Sequence, residues 1–357
     1  MAGLCTAVRA RELGLEPVVY EKGDRPGGSM LLSSCVVWRY RTLEDFRREC
    51  PGGEPDLQRL VVERLHDALE WLEGIGGPVV ARDTGNPRTT GLRFDPSGLT
   101  EALVCRAGDV RLGVGFPNEE PPVVVATGGF QADRDLVGRY ITPEPLQLRA
   151  NPWSAGDGLR HGLQRGAVLS EGLDEFYGRA MPAPPARVTE EQFVALAQLY
   201  GRYALVLNEQ GEEFAPDPVS WSETDLVQAI ARQPGARAWY LVDESALEVR
   251  IRERTVEDMI ERARSAGGTV VSPEDLPFAA PDSYRAAVHV QAAITHTIGG
   301  LRVDTRARAL RGDGAPIEGL YAAGADAGGI SAGGYASGLA AALVLGLAAA
   351  EHIASLE

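Results

Sequence analysis

An acidic residue at the end of a short apolar run could bind the ribose of a dinucleotide. The run covers residues 17–20, and the acid is Glu21. Residues 4–13 carry apolar side chains near helical spacing, and Gly14 follows as a helix stop. In a dinucleotide fold, a carboxylate at the carboxyl end of a buried strand accepts hydrogen bonds from the adenosine ribose hydroxyls. The pattern of helix, strand and acid therefore predicts a dinucleotide-binding fold, with a solvated strand end as the alternative for Glu21.

The 42 glycines of the chain fall in short clusters. Glycine costs backbone entropy inside an element, so clusters persist where the backbone turns sharply or approaches another group closely. Next to strands in an acidic chain, they indicate a nucleotide bound along most of its length, and ordinary loops remain the alternative. The clusters are Gly27 with Gly28, Gly128 with Gly129, Gly156 with Gly158, Gly299 with Gly300, and the run 319–338.

Composition and charge exclude several classes of partner. The 357 residues include 35 Lys and Arg against 50 Asp and Glu, a net charge of −15. Nucleic acid and anionic membranes are polyanions, so both are disfavoured as partners. No segment approaches the roughly 20 uncharged apolar residues of a membrane span. Four cysteines without metal-like spacing, and first residues that do not form a secretory signal, lead us to expect a cytoplasmic protein.

The chain opens on Met1, Ala2, Gly3 and Leu4, which matches the tail of a GxGxAG turn whose first strand is missing. In a dinucleotide fold that strand lies in the middle of the parallel sheet and delivers the phosphate-binding turn. Its absence would leave strand 18–20 with an unpaired edge, at about 1–3 kcal/mol for each buried unpaired backbone group. We expect the native chain to extend upstream by roughly ten residues or more, through an apolar strand ending in Gly-x-Gly. The 357-residue form should then bind its dinucleotide weakly.

Five strings along the chain resemble, in order, the superfamily of fumarate reductase and succinate dehydrogenase flavoproteins and 3-ketosteroid dehydrogenases. They are the opening MAGLCTAVRARELGLEPVVYEKGDRPGGSM, VVVATGGF at 123–130, SAGDGL at 154–159, THTIGGLRVD at 295–304 and GLYAAGADAGG at 319–329. The resemblance implies an α/β fold, with a Rossmann-like FAD-binding domain that apparently lacks its first strand and an inserted α+β capping domain. The implied limits are 1–170 and 295–357 for the FAD-binding domain and 171–294 for the cap.

The resemblance also implies bound FAD, held noncovalently. Some members attach FAD through a histidine soon after the Gly-Gly-Ser turn, whereas the nearest histidine here is His66. The last helix would turn its free N–H groups and positive dipole end toward the flavin O2 and N1, although a Gly/Ala packing face fits the same residues. The implied contacts are Gly3, Glu21 at the ribose, Gly27, Gly28 and Ser29 at the pyrophosphate, Ala126, Thr127, Gly128, Asp157, Gly299, Gly300, Gly324, Asp326 near the ribityl chain or pyrophosphate, Ser337, Gly338 and Leu339.

Two residues are candidates for contact with the substrate. His296 falls on the HTxGG string, whose histidine binds a substrate carboxylate in fumarate reductases, and a structural histidine is the alternative. Counting from Gly328 and Gly329 places Tyr335 where the family has a carboxylate-clamping arginine. A tyrosine there resembles the ketosteroid dehydrogenase branch, and a phenol can hydrogen-bond a carbonyl or carry a proton.

The chain also departs from fumarate reductases at the second arginine. Glu213 stands where the proton-donating arginine usually precedes a phenylalanine, and no arginine lies between Arg202 and Arg232. Losing both guanidinium groups removes the bidentate recognition of a dicarboxylate. Fumarate or succinate is therefore not the expected substrate. The stretches 110–122 and 271–288 are short for the family, either because the protein is compact or because segments are absent.

These features predict a flavin-dependent oxidoreductase. It would move a hydride between flavin N5 and a carbon–carbon bond beside a carbonyl or carboxylate, while a residue of the cap handles the proton. The expected partners are a small-molecule substrate and an unidentified electron donor or acceptor. The alternative is a non-catalytic or degenerate FAD-binding paralogue. An NAD(P)-linked dehydrogenase is disfavoured, because only one nucleotide-binding pattern is visible.

Overall fold

The computed structural model describes residues 1–116, 121–281 and 283–357, which divide into two compact units. The first unit comprises Met1–Val137, Ala150–Glu175 and His296–Glu357, and the second comprises Gly138–Arg149 and Phe176–Thr295. Of the two stretches predicted to be short, 110–122 and 271–288, residues 117–120 and 282 lie outside the described residues.

Helices and strands alternate along the described chain. The α-helices are α1 (Ala2–Glu12), α2 (Leu43–Glu49), α3 (Pro55–Gly74), α4 (Pro96–Ala107), α5 (Arg134–Tyr140), α6 (Asp157–Gln164), α7 (Thr224–Ala231), α8 (Glu244–Leu247), α9 (Val256–Ser265) and α10 (Gly338–Ala354). The β-strands are β1 (Val18–Glu21), β2 (Val36–Tyr40), β3 (Val79–Ala81), β4 (Thr89–Phe94), β5 (Asp109–Leu112), β6 (Val123–Val125), β7 (Gln147–Leu148), β8 (Phe176–Pro182), β9 (Leu205–Leu207), β10 (Arg237–Asp243), β11 (Arg250–Ile251), β12 (Arg254–Thr255), β13 (Val270–Val271), β14 (Tyr284–Thr297), β15 (Arg308–Leu310) and β16 (Pro316–Ala322).

The first unit contains the parallel pairs of a dinucleotide fold. Strand β1 pairs in parallel with β5, and β6 pairs in parallel with β16, while β15 runs antiparallel to β16. Strands β2, β4 and β3 form an antiparallel sheet. Among the described residues, β1 has β5 as its one strand neighbour. Glu21 is the last residue of β1, and the turn 126–129 follows β6. Both features therefore lie at the carboxyl end of a strand that has a parallel partner.

Helices α1 and α10 pack closely in the first unit. Helix α10 is rich in alanine and leucine and is buried on all sides from Ala340 to Ala350. A Cβ at Gly346 would lie 2.9 Å from the carbonyl oxygen of Ala2, so only glycine allows this approach. Thr6 Oγ1 donates a hydrogen bond to the Gly346 carbonyl at 3.1 Å. None of the described helices, α10 included, is long and apolar enough to cross a membrane.

The second unit is organised by β14, its longest strand. Strands β13 and β10 flank β14 in antiparallel register, and β9 extends the sheet beside β10. Strand β7 pairs in parallel with β14, which explains why 138–149 belongs to this unit although the sequence assigned it to the first. Helix α7 packs against β8 and β10.

Candidate functional site

The carboxyl end of β1 carries Glu21 beside an ion pair. Glu21 Oε1 accepts a hydrogen bond from the Gly23 N–H at 2.8 Å, and Lys22 Nζ lies 2.7 Å from Asp157 Oδ2 at the start of α6. The Trp153 ring lies against Gly23, where a Cβ would come within 2.6 Å of it. The structure thus brings Glu21 and Asp157 to one edge of the first unit, where a dinucleotide fold binds ribose and phosphate.

The Gly27–Gly28–Ser29 turn follows, and both glycines have left-handed backbone angles, with φ of 108° and 55°. Asn151 fastens this turn from a distant loop, because its Nδ2 donates to Ser29 Oγ at 3.1 Å. The Asn151 Oδ1 also accepts hydrogen bonds from the N–H groups of Trp153 and Ser154. Asn151 lies three residues before the SAGDGL string, and no pattern in the sequence indicated its role.

Asp326 holds the turn that follows β6. Its Oδ1 accepts from Thr127 Oγ1 at 2.9 Å, and its Oδ2 accepts from the Gly128 N–H at 2.8 Å. Burial raises the pKa of this carboxyl, while the hydrogen bonds from Gly128 and Thr127 oppose the rise. The sequence placed Asp326 near the ribityl chain or pyrophosphate. In the structure both carboxylate oxygens bond the protein, which makes Asp326 a positioning residue for the turn.

Small residues meet where α1 approaches the segment before α10. A Cβ at Gly324 would lie 3.3 Å from Ala2 Cβ, and a Cβ at Gly3 would lie 3.4 Å from Ala126 Cβ. The first N–H groups of a helix have no partner within the helix. The start of α1 therefore places such groups beside the turn after β6, where N–H groups of this kind could accept a phosphate.

Packing within the protein accounts for Gly299 and Gly300. A Cβ at Gly299 would lie 2.6 Å from the backbone of Leu173, and one at Gly300 would lie 2.6 Å from the carbonyl oxygen of Asp326. The resemblance assigned both glycines to the passage beside the flavin. The observed contacts give them a structural reason that does not require a ligand.

His296 lies at the start of α10. A Cβ at Gly338 would come 2.9 Å from His296 Nε2, and the Ser337 side chain caps the helix by accepting from the Ala340 N–H at 3.3 Å. The His296 Nδ1 lies 3.1 Å from the carbonyl oxygen of Thr297, so Nδ1 carries the proton. Burial lowers the pKa of His296, and the bond to Thr297 opposes this. The imidazole is therefore neutral at pH 7, with Nε2 as a hydrogen-bond acceptor.

Tyr335 is half-buried and lies three residues before the start of α10, whose second residue is Leu339. Its ring lies edge-on to Trp38, with ring centroids 5.5 Å apart, and its carbonyl oxygen accepts from Tyr40 Oη at 2.7 Å. The aromatic contacts fix the backbone that carries Tyr335, and β2 supplies both neighbours. No pattern in the sequence indicated this support from Trp38 and Tyr40.

Two polar atoms beside the turn after β6 suit a polar cofactor. A Cβ at Gly129 would lie 2.6 Å from Thr297 Oγ1 and 2.9 Å from Gln131 Oε1, so glycine is needed for these two atoms to approach the turn. Both atoms are buried and have no hydrogen-bond partner within the described part of the chain. Buried polar atoms are normally hydrogen-bonded, so a donor and an acceptor left together point to a polar ligand. The edge of a flavin ring, which both donates and accepts, fits this requirement.

Glu213, assigned to the place of the fumarate reductase arginine, is exposed in the second unit. It follows β9 and pairs with Leu207 through an isolated bridge. In the described ranges, no cluster of three or more His, Cys, Asp or Glu residues could hold a metal ion. His66, the histidine nearest to the Gly-Gly-Ser turn in the sequence, lies on the surface of α3 beside Glu70.

The chain has relatives among reductases of unsaturated acids. A probable fumarate reductase of Shewanella frigidimarina is 26% identical, over 92% of this chain and 68% of its own length. The urocanate reductase of Eggerthella lenta is 22% identical, also over 92% of this chain and 68% of its own length.

Solved structures show the same fold. The open conformation of a flavocytochrome c3 fumarate reductase gives a TM-score of 0.71 at 20% identity, over 99% of this chain and 76% of that chain. The 3-ketosteroid delta1-dehydrogenase of Sterolibacterium denitrificans gives a TM-score of 0.71 at 17% identity, over 100% of this chain and 98% of that chain. These likenesses confirm the predicted α/β FAD-binding fold. The family described as FAD binding domain matches residues 118–339, more than half of the chain. The chain therefore belongs to this FAD-binding family of flavin-dependent oxidoreductases.

Proposed function

We propose that this protein reduces or forms a carbon–carbon double bond beside a carbonyl group, and that fumarate and succinate are not its substrates. The proposal rests on His296 at the start of α10 and, beside Gly129, on two buried polar atoms of Gln131 and Thr297 that have no partner among the described residues. When bound, FAD supplies the hydride-transferring N5 for such a reaction. The named relatives act on fumarate and urocanate, and a neighbour in structure acts on 3-ketosteroids.

The first unit would hold FAD noncovalently through the residues that it gathers there. Glu21 would accept from the ribose hydroxyls, and Gly27, Gly28 and Ser29 would let the pyrophosphate approach the backbone. Asp157, Gly3, Ala126, Gly324 and Leu339 complete the proposed contacts, while Asp326 keeps Thr127 and Gly128 in position.

His296 would bind the substrate through Nε2. A neutral imidazole whose Nδ1 proton is engaged by Thr297 offers an acceptor rather than two donors. Such an atom suits a hydroxyl or an enol proton better than a carboxylate. The absence of both fumarate-binding arginines favours the same class of substrate. Tyr335 would contribute its phenol to the substrate carbonyl.

The same proposal includes an unidentified electron donor or acceptor and a reducing compartment such as the cytoplasm. Each of the four cysteines is a free thiol, which supports that compartment. A degenerate FAD-binding paralogue is the competing function, favoured by the absence of both fumarate-binding arginines.

A spectroscopic screen separates these functions. FAD in the purified holoprotein is bleached by photoreduction without oxygen and then offered fumarate, urocanate or a 4-ene-3-ketosteroid. We expect an acceptor whose double bond lies beside a carbonyl to restore the yellow colour, and fumarate to leave it bleached. The H296A variant should lose at least about 100-fold in that rate, whereas H66A, altered on the exposed face of α3, should match the native protein. Rapid recovery with fumarate, or no recovery with any acceptor, would contradict the proposal.

A further inference from the structure

Glu175 directly precedes β8, and the proposed function gives it no role. It belongs to the first unit, as do His296 and Tyr335. Glu175 Oε2 accepts a hydrogen bond from the Gly333 N–H at 2.7 Å, across 158 residues of sequence. Gly333 lies two residues before Tyr335. The Glu175 carboxylate therefore holds the segment that carries one of the two residues proposed to contact the substrate.

The backbone of Glu175 holds the other of these residues. Its carbonyl oxygen accepts a hydrogen bond from the Ile298 N–H at 3.1 Å. Ile298 lies two residues after His296, at the point where β14 ends. A single residue is thus bonded by its main chain to the strand end that carries His296, and by its side chain to the segment that leads to Tyr335.

The turn before β8 fixes Glu175 itself. The Gly172 carbonyl oxygen accepts hydrogen bonds from the Glu175 N–H at 3.1 Å and from the Gly299 N–H at 2.9 Å. A Cβ at Gly172 would lie 3.1 Å from Ala332 Cβ and 3.1 Å from Ile298 Cγ2. The turn therefore packs against both segments that Glu175 joins, and this contact limits how far its carboxylate can move.

The segment before α10 has further supports. Three of its carbonyl groups accept hydrogen bonds from residues 52–58, namely Gly329 from the Glu54 N–H at 2.7 Å, Ile330 from Gln58 Nε2 at 2.9 Å, and Ala332 from the Gly52 N–H at 3.0 Å. The Tyr335 carbonyl oxygen accepts from Tyr40 Oη on β2. These bonds fix the segment to β2 and to the beginning of α3, whereas the bond to Glu175 ties it to the strand end that carries His296.

We propose that Glu175 is a positioning residue that sets the distance between His296 and Tyr335, so that both side chains contact the substrate at the same time. The inference rests on the proposed function. A hydrogen bond from a backbone N–H to a carboxylate is charge-assisted and therefore strong. A displacement of about 1 Å in the groups around a substrate can cost about 100-fold in rate. Glu175 acts through His296 and Tyr335 and does not itself have to touch the substrate.

The test measures reoxidation of the bleached, FAD-loaded protein by the acceptor found in the screen, with oxygen as an acceptor that bypasses the substrate. E175A removes the acceptor of the Gly333 N–H, whereas E175Q keeps a carbonyl oxygen that can accept the same bond. E171A is the matched control, because Glu171 is exposed and lies four residues earlier in the chain. Y335F and the double variant E175A/Y335F show whether Glu175 acts through the Tyr335 phenol.

We expect the rate of reoxidation by saturating acceptor to fall between about 10-fold and 100-fold in E175A. E175Q, E171A and the reaction with oxygen should keep native rates. In the Y335F background, E175A should cost no more than about twofold, because two residues that act through one contact are not additive. Native rates in E175A, or equal losses in both backgrounds, would overturn the proposal. If E175A loses FAD, E175D, whose carboxylate is one carbon shorter, takes its place in the same cycle.

A structural measurement separates this inference from the proposed function. Failure of every acceptor with the native protein would reject the proposed function. Crystal structures of the native protein and of E175A would still measure the distance between Tyr335 Oη and His296 Nε2. We expect this distance to change by about 1 Å or more in E175A, and an unchanged distance would overturn the role of Glu175.

Discussion

At the scale of single residues, Asp326 shows how one buried carboxylate can hold together segments that lie far apart in the chain. It joins Thr127 and Gly128 to a segment 199 residues later in the chain. Both carboxylate oxygens of Asp326 accept hydrogen bonds from the turn. In a D326N variant, the amide N–H group would instead face a hydrogen-bond donor of the turn. We expect D326N to lose about 1–3 kcal/mol of unfolding free energy, the cost of an unsatisfied buried group, and to bind FAD more weakly.

Urea unfolding and FAD titration measure both effects. The control is D313N, because Asp313 is exposed and its Oδ1 accepts only from the Ala315 N–H nearby. D326N with native stability and native FAD affinity would refute the positioning role.

Glu223, a buried acid directly before α7, should impose a pH dependence on stability. Its pKa is raised from an ordinary 4.5 to about 7, so the folded protein binds a proton that the unfolded chain releases between these values. Its stabilising contribution is complete below pH 4.5 and is lost as the pH rises through 7, by an amount on the order of 3 kcal/mol. Melting temperatures from pH 5 to 8 should therefore fall more steeply in the native protein and in the exposed control E213Q than in E223Q. Parallel curves for all three would contradict this.

At the scale of elements, the sequence predicted what depends on local pattern. The helix predicted at 4–13 is α1, the strand before Glu21 is β1, and the apolar run at 123–125 is β6, because each follows from apolar spacing with a glycine nearby. The contacts of Asp326, Gly299 and Asn151 could not be predicted, because they join segments far apart in the chain. Glu175 was hidden for the same reason, because its partners Ile298 and Gly333 are distant from it in the sequence.

The contact of α1 with α10 provides a prediction at this scale. The change G346A adds a methyl group 2.9 Å from the Ala2 carbonyl oxygen, so overpacking should outweigh the better helix propensity and cost about 1–2 kcal/mol. The change G138A, in α5, adds the same group where no atom lies within 4 Å and should stabilise by up to about 1 kcal/mol. Thermal unfolding should therefore give a lower melting temperature for G346A and a higher one for G138A than for the native protein. A higher melting temperature for both variants would mean that α1 and α10 are less closely packed.

At the scale of the whole molecule, FAD is expected to be both cofactor and structural element. The segments proposed to hold it come from the beginning, the middle and the end of the chain and meet only in the folded first unit. A ligand that binds only the folded form stabilises it by about 2.7 kcal/mol at 100 times its Kd. Added FAD should therefore raise the melting temperature of the protein in proportion to the logarithm of its concentration, whereas riboflavin, which lacks the diphosphate and adenosine groups, should raise it less.

The mode of attachment follows from the same arrangement. No histidine lies in the turn after Gly28, and His66 is on the exposed face of α3, so every proposed contact with FAD is noncovalent. Acid or heat precipitation should release the yellow chromophore into the supernatant, where absorption at neutral pH identifies it as FAD. Colour that remains in the washed pellet would show a covalent bond between FAD and the protein and would contradict noncovalent binding.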